Sequence, residues 1–355
     1  MPSTGTPQRR VSIIRNPAAR RPLSDADLAE ALNAIRHTGW EPTVTDTRAA
    51  GEATSLAREA AGAGVDAVVV SGGDGTVNEV VNGLVGTETA LGVIPVGTAN
   101  VWARELGILD DPAAALGFVT ARRSARVDTG VARIGDEAER HFLLMCSAGI
   151  DAEVVRAIEL RPGLKRRLGR GAFGWPSART VLVGQPVETE LRWADEARRV
   201  PLLMVLARNT RLYGSIARLT DEALIDDGEL DLLTFEDLRR GFAVRGVHRM
   251  RLLTSTMCGH LRSAVAPGLR YERTNEVELN PAGPLPVQLD GEYVGSAGRE
   301  APLVLTSAPG SPTVIVPAGV NPAVHLQRCS LEPRELSCLQ LVADRVREFS
   351  VGWSV

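Results

Sequence analysis

Residues 68–79 constrain the fold more than any other stretch of this sequence, because three valines run into three glycines grouped around Asp74. The valines predict a buried strand and the glycines a tight turn, and a following helix is indicated by apolar residues spaced along one face: Val77, Val80, Val81 and Leu84. Glycine lets the backbone approach a ligand closely, and the first N–H groups of a helix have no partner within the helix. The stretch therefore predicts a strand, a turn and a helix N-terminus that together suit a phosphate group.

One residue type is missing from this turn. A P-loop ends its glycine run with a lysine that reaches the phosphates. Here Thr76 stands at that position, and the single lysine of the chain is Lys165. The turn is therefore not a Walker-type site, and a glycine turn of this kind is also found in dinucleotide-binding proteins.

Length and composition limit the classes of protein to consider. A chain of 355 residues with 44% hydrophobic residues favours two packed domains. A net charge of −3 gives no reason to expect nucleic acid as a partner. The four cysteines lack CxxC spacing, which argues against a disulfide framework and against a zinc site.

The apolar patterning indicates a cytoplasmic protein. The first eight residues lack the apolar core of a signal peptide, and no run approaches the roughly 18 apolar residues that span a membrane. The one basic cluster, residues 162–170, could meet anionic lipid headgroups, with a solvated helix face as the alternative. Peripheral association with a membrane surface therefore stays open.

Strands and helices alternate through the first third of the chain. Helices are predicted after Ser24 and from Glu52, and strands at residues 11–15, 40–45, 68–71 and 90–94. A second glycine turn, residues 95–100, follows the last of these strands and leads into a short helix. This alternation predicts a parallel sheet covered by helices. Because ligands bind at the carboxyl ends of parallel strands, both glycine turns are expected to line one crevice.

Strands dominate from about Ser124 onward. They are predicted at residues 126–134, 141–146, 187–193, 200–207, 230–235, 277–279, 287–289, 303–306 and 314–316, with helices at 152–160 and 238–253. We therefore expect a fold of class α/β + β, with an α/β nucleotide-binding domain over residues 10–124 and a β-sandwich domain over residues 125–315. The tail, residues 316–355, carries an apolar helical stripe and is expected to dock on the first domain.

Several motifs occur in a characteristic order. Gly72-Gly73-Asp74-Gly75-Thr76 precedes Asn78, and a second motif contains Gly97-Thr98 and Asn100. Other landmarks are Asn16-Pro17, Thr47, Asp128, Asp226-Asp227-Gly228 and Asp290-Gly291-Glu292. Together they resemble the diacylglycerol kinase catalytic family, which includes bacterial soluble lipid kinases, sphingosine kinases and ceramide kinases. The resemblance extends from about residue 11 to residue 317.

The resemblance implies a two-domain kinase. Its three-layer α/β domain, similar to that of NAD kinases and diacylglycerol kinases, would bind ATP in a cleft against a β-sandwich domain that supplies a lipid pocket. The residues that match ATP-binding positions are Asn16, Thr47, Gly72, Gly73, Asp74, Gly75, Thr76, Val77, Asn78, Gly97 and Thr98. The implied partner is a lipid, diacylglycerol or a relative, presented at a membrane surface, and a homodimer is left open.

The resemblance also implies metal and catalytic positions. Asp227, with the backbone carbonyls of Leu224 and Glu229, matches a structural Mg²⁺ ion, and Glu292 matches the catalytic carboxylate. Asp74 and Asp128 match two members of a water–magnesium network. The third member of that network is usually an aspartate, and this chain has Val101 there, which puts the network in doubt.

Elementary chemistry gives these residues roles and alternatives. Asp74 lies beside the expected phosphates and would repel them unless Mg²⁺ lay between, so it is a candidate metal ligand and catalytic residue. Glu292 could take the proton of an acceptor hydroxyl. Alternatively, Asp290-Gly291 is a hairpin turn with Glu292 solvated, and 226–228 is an ordinary turn. At the level of function, an NAD kinase and a lipid- or nucleotide-binding protein without turnover remain alternatives.

Overall fold

The first domain contains a six-stranded sheet, and helices connect its successive parallel strands. The structure is a computed structural model that describes residues 9–108, 123–160, 184–194, 196–213, 217–218, 223–237 and 268–317. Four parallel strands in the order β2-β1-β3-β4 form the greater part of the sheet: β1 (Arg9–Arg15), β2 (Trp40–Asp46), β3 (Ala67–Gly72) and β4 (Ala90–Pro95). The helices of this domain are α1 (Asp25–His37), α2 (Glu52–Gly62), α3 (Asp74–Leu84) and α4 (Val101–Glu105).

Local sequence explains the start of α1 and the central place of β3. The Ser24 side chain accepts the N–H of Asp27 at 3.1 Å and so caps α1. Strand β3 is buried along its whole length, as expected for an apolar strand that is covered on both faces of a parallel sheet. Its carboxyl end leads directly into the first glycine turn, which places that turn in the middle of the sheet edge.

Two strands from distant parts of the chain complete this sheet. Among the described residues, strand β5 (Ser124–Arg126) pairs with β19 (Thr313–Ile315) alone, and β19 lies between β4 and β5. The chain therefore leaves the first domain near residue 126 and returns to it at residue 313. The sequence predicts that residues 313–315 belong to the second domain. In the structure they are part of the sheet of the first domain.

The second domain is an antiparallel β structure of eleven strands. Its strands are β6 (Thr129–Ile134), β7 (Arg140–Phe142), β8 (Met145–Gly149), β9 (Val187–Arg192), β10 (Ala197–Arg208), β13 (Leu230–Glu236), β14 (Leu269–Thr274), β15 (Glu276–Pro281), β16 (Leu285–Leu289), β17 (Glu292–Ala297) and β18 (Leu303–Ala308). A separate two-stranded ribbon is formed by β11 (Leu212–Tyr213) and β12 (Ala217–Arg218), and one helix, α5 (Ile150–Glu159), follows β8. The core of this domain is a cluster of apolar side chains that includes Phe142, Leu232 and Leu279.

The expected α/β domain followed by an antiparallel, sandwich-like domain is confirmed. The single strand expected at residues 126–134 is two strands in different sheets, because Val127 and Asp128 form the crossing between the domains. Strands β14 and β17 were not expected from the sequence. The basic cluster 162–170, the expected helix at 238–253 and nearly all of the tail lie outside the described residues. In the described part of the chain, no helix has the length and apolarity required to cross a membrane.

Candidate functional site

The two glycine turns lie against each other at the carboxyl ends of β3 and β4. A Cβ atom on Gly97 would come within 2.5 Å of Gly73 Cα and 2.7 Å of Asn100 Oδ1. Such distances are shorter than real Cβ contacts, so only glycine allows this approach of the two backbones. The two turns therefore form one continuous surface of main-chain atoms at the sheet edge.

Helix α3 points its N-terminus at this surface. Its N-cap residue is Gly73, which has no side chain to cap the helix, and the first intrahelical bond runs from Val77 N to Gly73 O at 3.0 Å. The N–H groups of the first turn, at Gly75 and Thr76, precede that bond and have no intrahelical acceptor. Gly75 is exposed, so its N–H and the positive end of the helix dipole are available to an anion.

Asp74 joins the two glycine turns. Its Oδ1 accepts the N–H of Trp102 at 3.1 Å, and the N–H groups of Val101 and Asn100 also contact this carboxylate. Burial raises the pKa of Asp74 above its ordinary value, and these backbone donors partly oppose the shift. Val101 contributes its backbone N–H to this contact, while its side chain is buried in the core of the first domain.

The other residues expected near ATP lie at the same sheet edge. Asn16 follows β1, and its Nδ2 donates to Thr76 Oγ1 at 2.9 Å, which ties the first strand to the start of α3. Thr47 follows β2, and its N–H donates to Arg15 O at 2.9 Å. Thr98 is exposed in the second turn. All of these residues follow the carboxyl ends of parallel strands, where the sequence predicted them.

A carboxylate of the second domain clamps helix α3. Asp290 Oδ2 accepts Asn78 Nδ2 and Leu143 N, both at 2.8 Å, and its Oδ1 accepts Leu144 N at 2.8 Å and Met145 N at 2.9 Å. Burial raises the pKa of Asp290 to about 6 against the opposing effect of these four donors. The carboxylate is therefore ionised at pH 7 and provides charge-assisted hydrogen bonds across the domain boundary.

Glu292 lies two residues after this aspartate. Asp290 and Gly291 both have positive φ, at 49° and 89°, and Leu289 pairs with Glu292, which is the geometry of a two-residue type I′ hairpin. Asp290-Gly291 thus forms the hairpin turn that the sequence indicated. The Glu292 side chain is 53% exposed and lies 3.4 Å from the Arg140 guanidinium.

Two buried networks hold these elements, and neither was recognised in the sequence. Gln288 Oε1 accepts the N–H of Gly291 at 2.7 Å, and its Nε2 donates to Ser147 Oγ at 2.9 Å, so the hairpin rests on β8. Glu105 at the end of α4 accepts Arg211 Nη2 at 3.3 Å and Leu212 N at 2.6 Å, and the side chains of this ion pair are almost fully buried. No local motif marks either network, because each one joins residues from distant parts of the chain.

The acidic loop, residues 224–229, contacts Asp128 and Arg273. Asp128, the neighbouring carboxylate, accepts Gly228 N at 2.6 Å and Gly310 N at 2.7 Å, so both of its oxygens hold backbone. Asp227 Oδ1 accepts Glu229 N at 3.1 Å, and its Oδ2 accepts the Arg273 guanidinium. In the part of the chain that the structure describes, no group of three or more His, Cys, Asp or Glu side chains converges to hold a metal ion. Both Asp227 carboxylate oxygens thus already accept protein donors, and Mg²⁺ would have to displace the Arg273 guanidinium to bind this side chain.

Comparison with known proteins agrees with the fold and the motifs. The model described as "Diacylglycerol kinase catalytic domain" matches residues 10–132, and the model described as "YegS C-terminal NAD kinase beta sandwich-like domain" matches residues 145–316. The protein named "Probable lipid kinase YegS-like" from Chromohalobacter salexigens is 32% identical over 299 residues, which cover 82% of this chain and 89% of that protein. The protein named "Diacylglycerol kinase" from Bacillus subtilis (strain 168) is 30% identical over 292 residues, which cover 81% of this chain and 91% of that protein.

Solved structures share the fold. A crystal structure described as that of a diacylglycerol kinase from Bacillus anthracis str. Sterne superposes with a TM-score of 0.62 at 19% sequence identity, and the match covers 88% of this chain and 98% of that one. At this level of identity the likeness concerns the fold alone. Together with the two family models and the relatives at 30–32% identity, it confirms the resemblance seen in the motifs: the chain belongs to the diacylglycerol kinase catalytic family and is a kinase by descent.

Proposed function

We propose that this protein is an ATP-dependent lipid kinase that transfers the γ-phosphoryl group to a lipid hydroxyl, that of diacylglycerol or a related lipid. The observation that carries the proposal is the contact between Asn78 and Asp290 at 2.8 Å. Asn78 lies one helical turn after Asp74, and Asp290 lies two residues before Glu292. The contact therefore brings the phosphate-binding turn and the candidate base to one seam between the domains.

The nucleotide side of this seam is built from backbone. The N–H groups at the start of α3 and the dipole of the helix would hold the phosphates, so that no P-loop lysine is needed. Thr98 and Thr47, which border the same sheet edge, would contact the rest of the nucleotide. Phosphoryl transfer depends mainly on positioning and on charge neutralisation, and a rigid surface of contacting backbones suits the first of these requirements.

Asp74 is the residue that would hold the Mg²⁺ ion of the nucleotide, directly or through water. Its carboxylate is buried enough to raise its pKa, and a divalent cation would compensate this burial. The ion would neutralise phosphate charge when bound. Val101 has no carboxylate, but its backbone N–H donates a hydrogen bond to the Asp74 carboxylate.

The acceptor side is the hairpin that carries Glu292. A lipid hydroxyl is a weak nucleophile until its proton is removed, and a positioned carboxylate can remove it. As the hydroxyl oxygen forms its bond to the γ-phosphorus, the bond from that phosphorus to the bridging oxygen of ATP breaks and ADP leaves, while the proton passes to Glu292. The guanidinium of Arg140 lies 3.4 Å from Glu292 and would help to hold this side chain in place. A lipid held at a membrane surface would have to reach this exposed edge.

A transfer assay tests the proposal. The purified full chain is incubated with γ-labelled ATP and Mg²⁺, and with mixed micelles that contain diacylglycerol, ceramide or sphingosine in turn. Label in at least one lipid is the expected result. A parallel reaction offers NAD, and label in NAD instead of a lipid would refute the proposal in favour of an NAD kinase. Nucleotide binding without transfer to any acceptor would favour a binding protein.

A further inference from the structure

We propose that Arg273 occupies the cation position of the acidic loop, so that the loop is held in place by a side chain of the protein and needs no divalent metal ion. The removal of Arg273 would open this position to Mg²⁺ or Ca²⁺. The proposal concerns the fold and not the kinase reaction, so it stands or falls separately from the proposed function.

The Asp227 carboxylate is bound by the Arg273 side chain. One oxygen of this carboxylate accepts the N–H of Glu229 at 3.1 Å, and the other accepts Nη2 of Arg273. The same Nη2 atom lies 2.7 Å from the Glu229 carboxylate. A single guanidinium nitrogen therefore bridges two carboxylates, which is the position that a shared metal ion would have to take.

The sheet delivers Arg273 to this place. Strand β14 pairs with β13 in a register that sets Arg273 directly opposite Asp231, with Leu230 opposite Thr274 beside it. Arg273 thus reaches the loop from a fixed position on a strand, and its charge does not depend on pH in the physiological range. Because the arginine is part of the same chain, a metal ion in solution would have to displace a permanently present competitor.

Because Asp227 is largely buried, its ion pair with Arg273 should contribute more to stability than an ordinary surface ion pair. The Asp227 side chain is 15% exposed, whereas those of Arg273 and Glu229 are 40% and 41% exposed. A pair with one largely shielded partner is screened less by water and salt than two fully exposed charges.

The carboxylate oxygens of Asp227 and Asp128 already have donors from the protein, so a magnesium ion would have to compete for them. It needs near-octahedral oxygen ligands at about 2.0–2.1 Å, and both Asp227 oxygens already accept donors from the protein. The next carboxylate, Asp128, holds the N–H groups of Gly228 and Gly310. Within the described ranges, the side chains around the acidic loop thus offer a cation site that is already filled.

Thermal unfolding without nucleotide tests the proposal on the full-length protein. The wild-type Tm is expected to be the same in EDTA and in Mg²⁺ or Ca²⁺, and elemental analysis of the EDTA-free protein should find far less than one ion per chain. Arg273→Met in EDTA should lower Tm by roughly 2–4 °C, and Mg²⁺ or Ca²⁺ should restore most of this loss.

A matched control is available on the same strand. Arg270 pairs with Glu236 at 3.0 Å, so Arg270→Met also removes an ion pair from β14, but away from the acidic loop. Its loss of Tm should be the same with and without divalent ions. A second variant, Asp227→Asn, keeps the size of the side chain and should lower Tm without creating any response to metal.

Three outcomes would overturn the proposal. One is a stoichiometric metal ion in the wild-type protein. Another is a wild-type Tm that falls in EDTA and recovers with Mg²⁺, with the response lost in Asp227→Asn. The third is an Arg273→Met variant that folds but gains nothing from divalent ions. Should Arg273→Met prove unable to fold even in EDTA-free buffer with Mg²⁺, the response of the wild-type and Asp227→Asn Tm to EDTA and Mg²⁺ decides whether the proposal holds.

Discussion

Two Asp-Gly turns of this protein use the same dipeptide in different ways. Asp74-Gly75 opens a helix, and its carboxylate bonds to the backbone of the neighbouring turn in the same domain. Asp290-Gly291 closes a hairpin, and its carboxylate reaches across the domain boundary to Asn78. The first turn shapes a surface, whereas the second fixes how far that surface lies from the hairpin. A motif of two residues therefore does not determine what its aspartate does.

The comparison leads to a division of labour that can be tested. If the proposed function is right, changes on the glycine side should act mainly on nucleotide binding, and changes at the hairpin mainly on turnover or on the joining of the domains. Each of the following variants is chosen to separate these effects.

The largest effect is expected for Glu292→Gln. Loss of the candidate base should lower kcat by roughly 10²–10⁴-fold, while nucleotide affinity should stay within about twofold of wild type, because Glu292 belongs to the acceptor side. Steady-state kinetics and nucleotide titration measure the two quantities. Glu300→Gln, another exposed glutamate of this domain, is the control and should leave both unchanged. An unchanged kcat in Glu292→Gln would remove this residue as the base.

Gly97→Ala should damage the glycine side. The added methyl group would lie 2.5 Å from Gly73 Cα, so the two backbones must separate at a cost of about 1–3 kcal/mol in the free energy of unfolding. Because the separated backbones would no longer form one surface for the phosphates, nucleotide affinity should fall at least about tenfold. A tenfold loss corresponds to about 1.4 kcal/mol in the free energy of binding. Gly62→Ala at the end of α2 is the control, because a Cβ there meets nothing within 4 Å. Equal stability of the two variants would contradict the contact between the turns.

The domain clamp can be measured by a double-mutant cycle of Asn78→Ala and Asp290→Ala. We expect a coupling energy of about 1–2 kcal/mol in urea unfolding, because the hydrogen bond is charge-assisted. Glu79→Ala removes a bond from the same helix to Ala53 N at 3.1 Å, within the first domain, and is a control that should not couple to Asp290→Ala to this extent. Additive effects of Asn78→Ala and Asp290→Ala would mean that the contact contributes nothing of its own.

The smallest effect concerns pH. The pKa of Asp290 is raised to about 6, so ionisation of this group costs stability, and the cost appears as pH rises through the folded pKa. Lowering the pH from 7 to 5 should therefore stabilise the wild-type protein relative to Asp290→Asn by about 1 kcal/mol. Urea unfolding of both proteins at several pH values gives this difference. A difference that does not change between pH 5 and 7, or that changes in the opposite direction, would contradict the raised pKa.

Features carried by neighbouring residues could be predicted from the sequence. Ser24 marked the start of α1, the glycines marked both turns, and the alternation of strands and helices gave the parallel sheet. These features depend on backbone conformation and on hydrophobic periodicity, both of which are local. The position of both glycine turns at one sheet edge followed from the same rule.

Features that join distant residues could not be predicted in this way. The Glu105–Arg211 ion pair and the bridge from Arg273 to Asp227 are separated in sequence by 106 and 46 residues, and no spacing rule connects such positions. The division of residues 126–134 between two sheets was missed for the same reason, since Asp128 at the crossing is held by Gly228 and Gly310. Tertiary contacts, not local propensity, determine these two ion pairs and the division of residues 126–134.

The position of β19 between β4 and β5 has a consequence for the newly synthesised chain. Strand β5 leaves the ribosome roughly 190 residues before its partner β19, an interval of about 10–40 s at about 5–20 residues per second. During that time the edge of β4 that later pairs with Val314 is uncovered, and an uncovered apolar edge can pair with other chains. Completion of the first domain thus has to wait for translation of the second, and chains that terminate before residue 313 should be prone to aggregation.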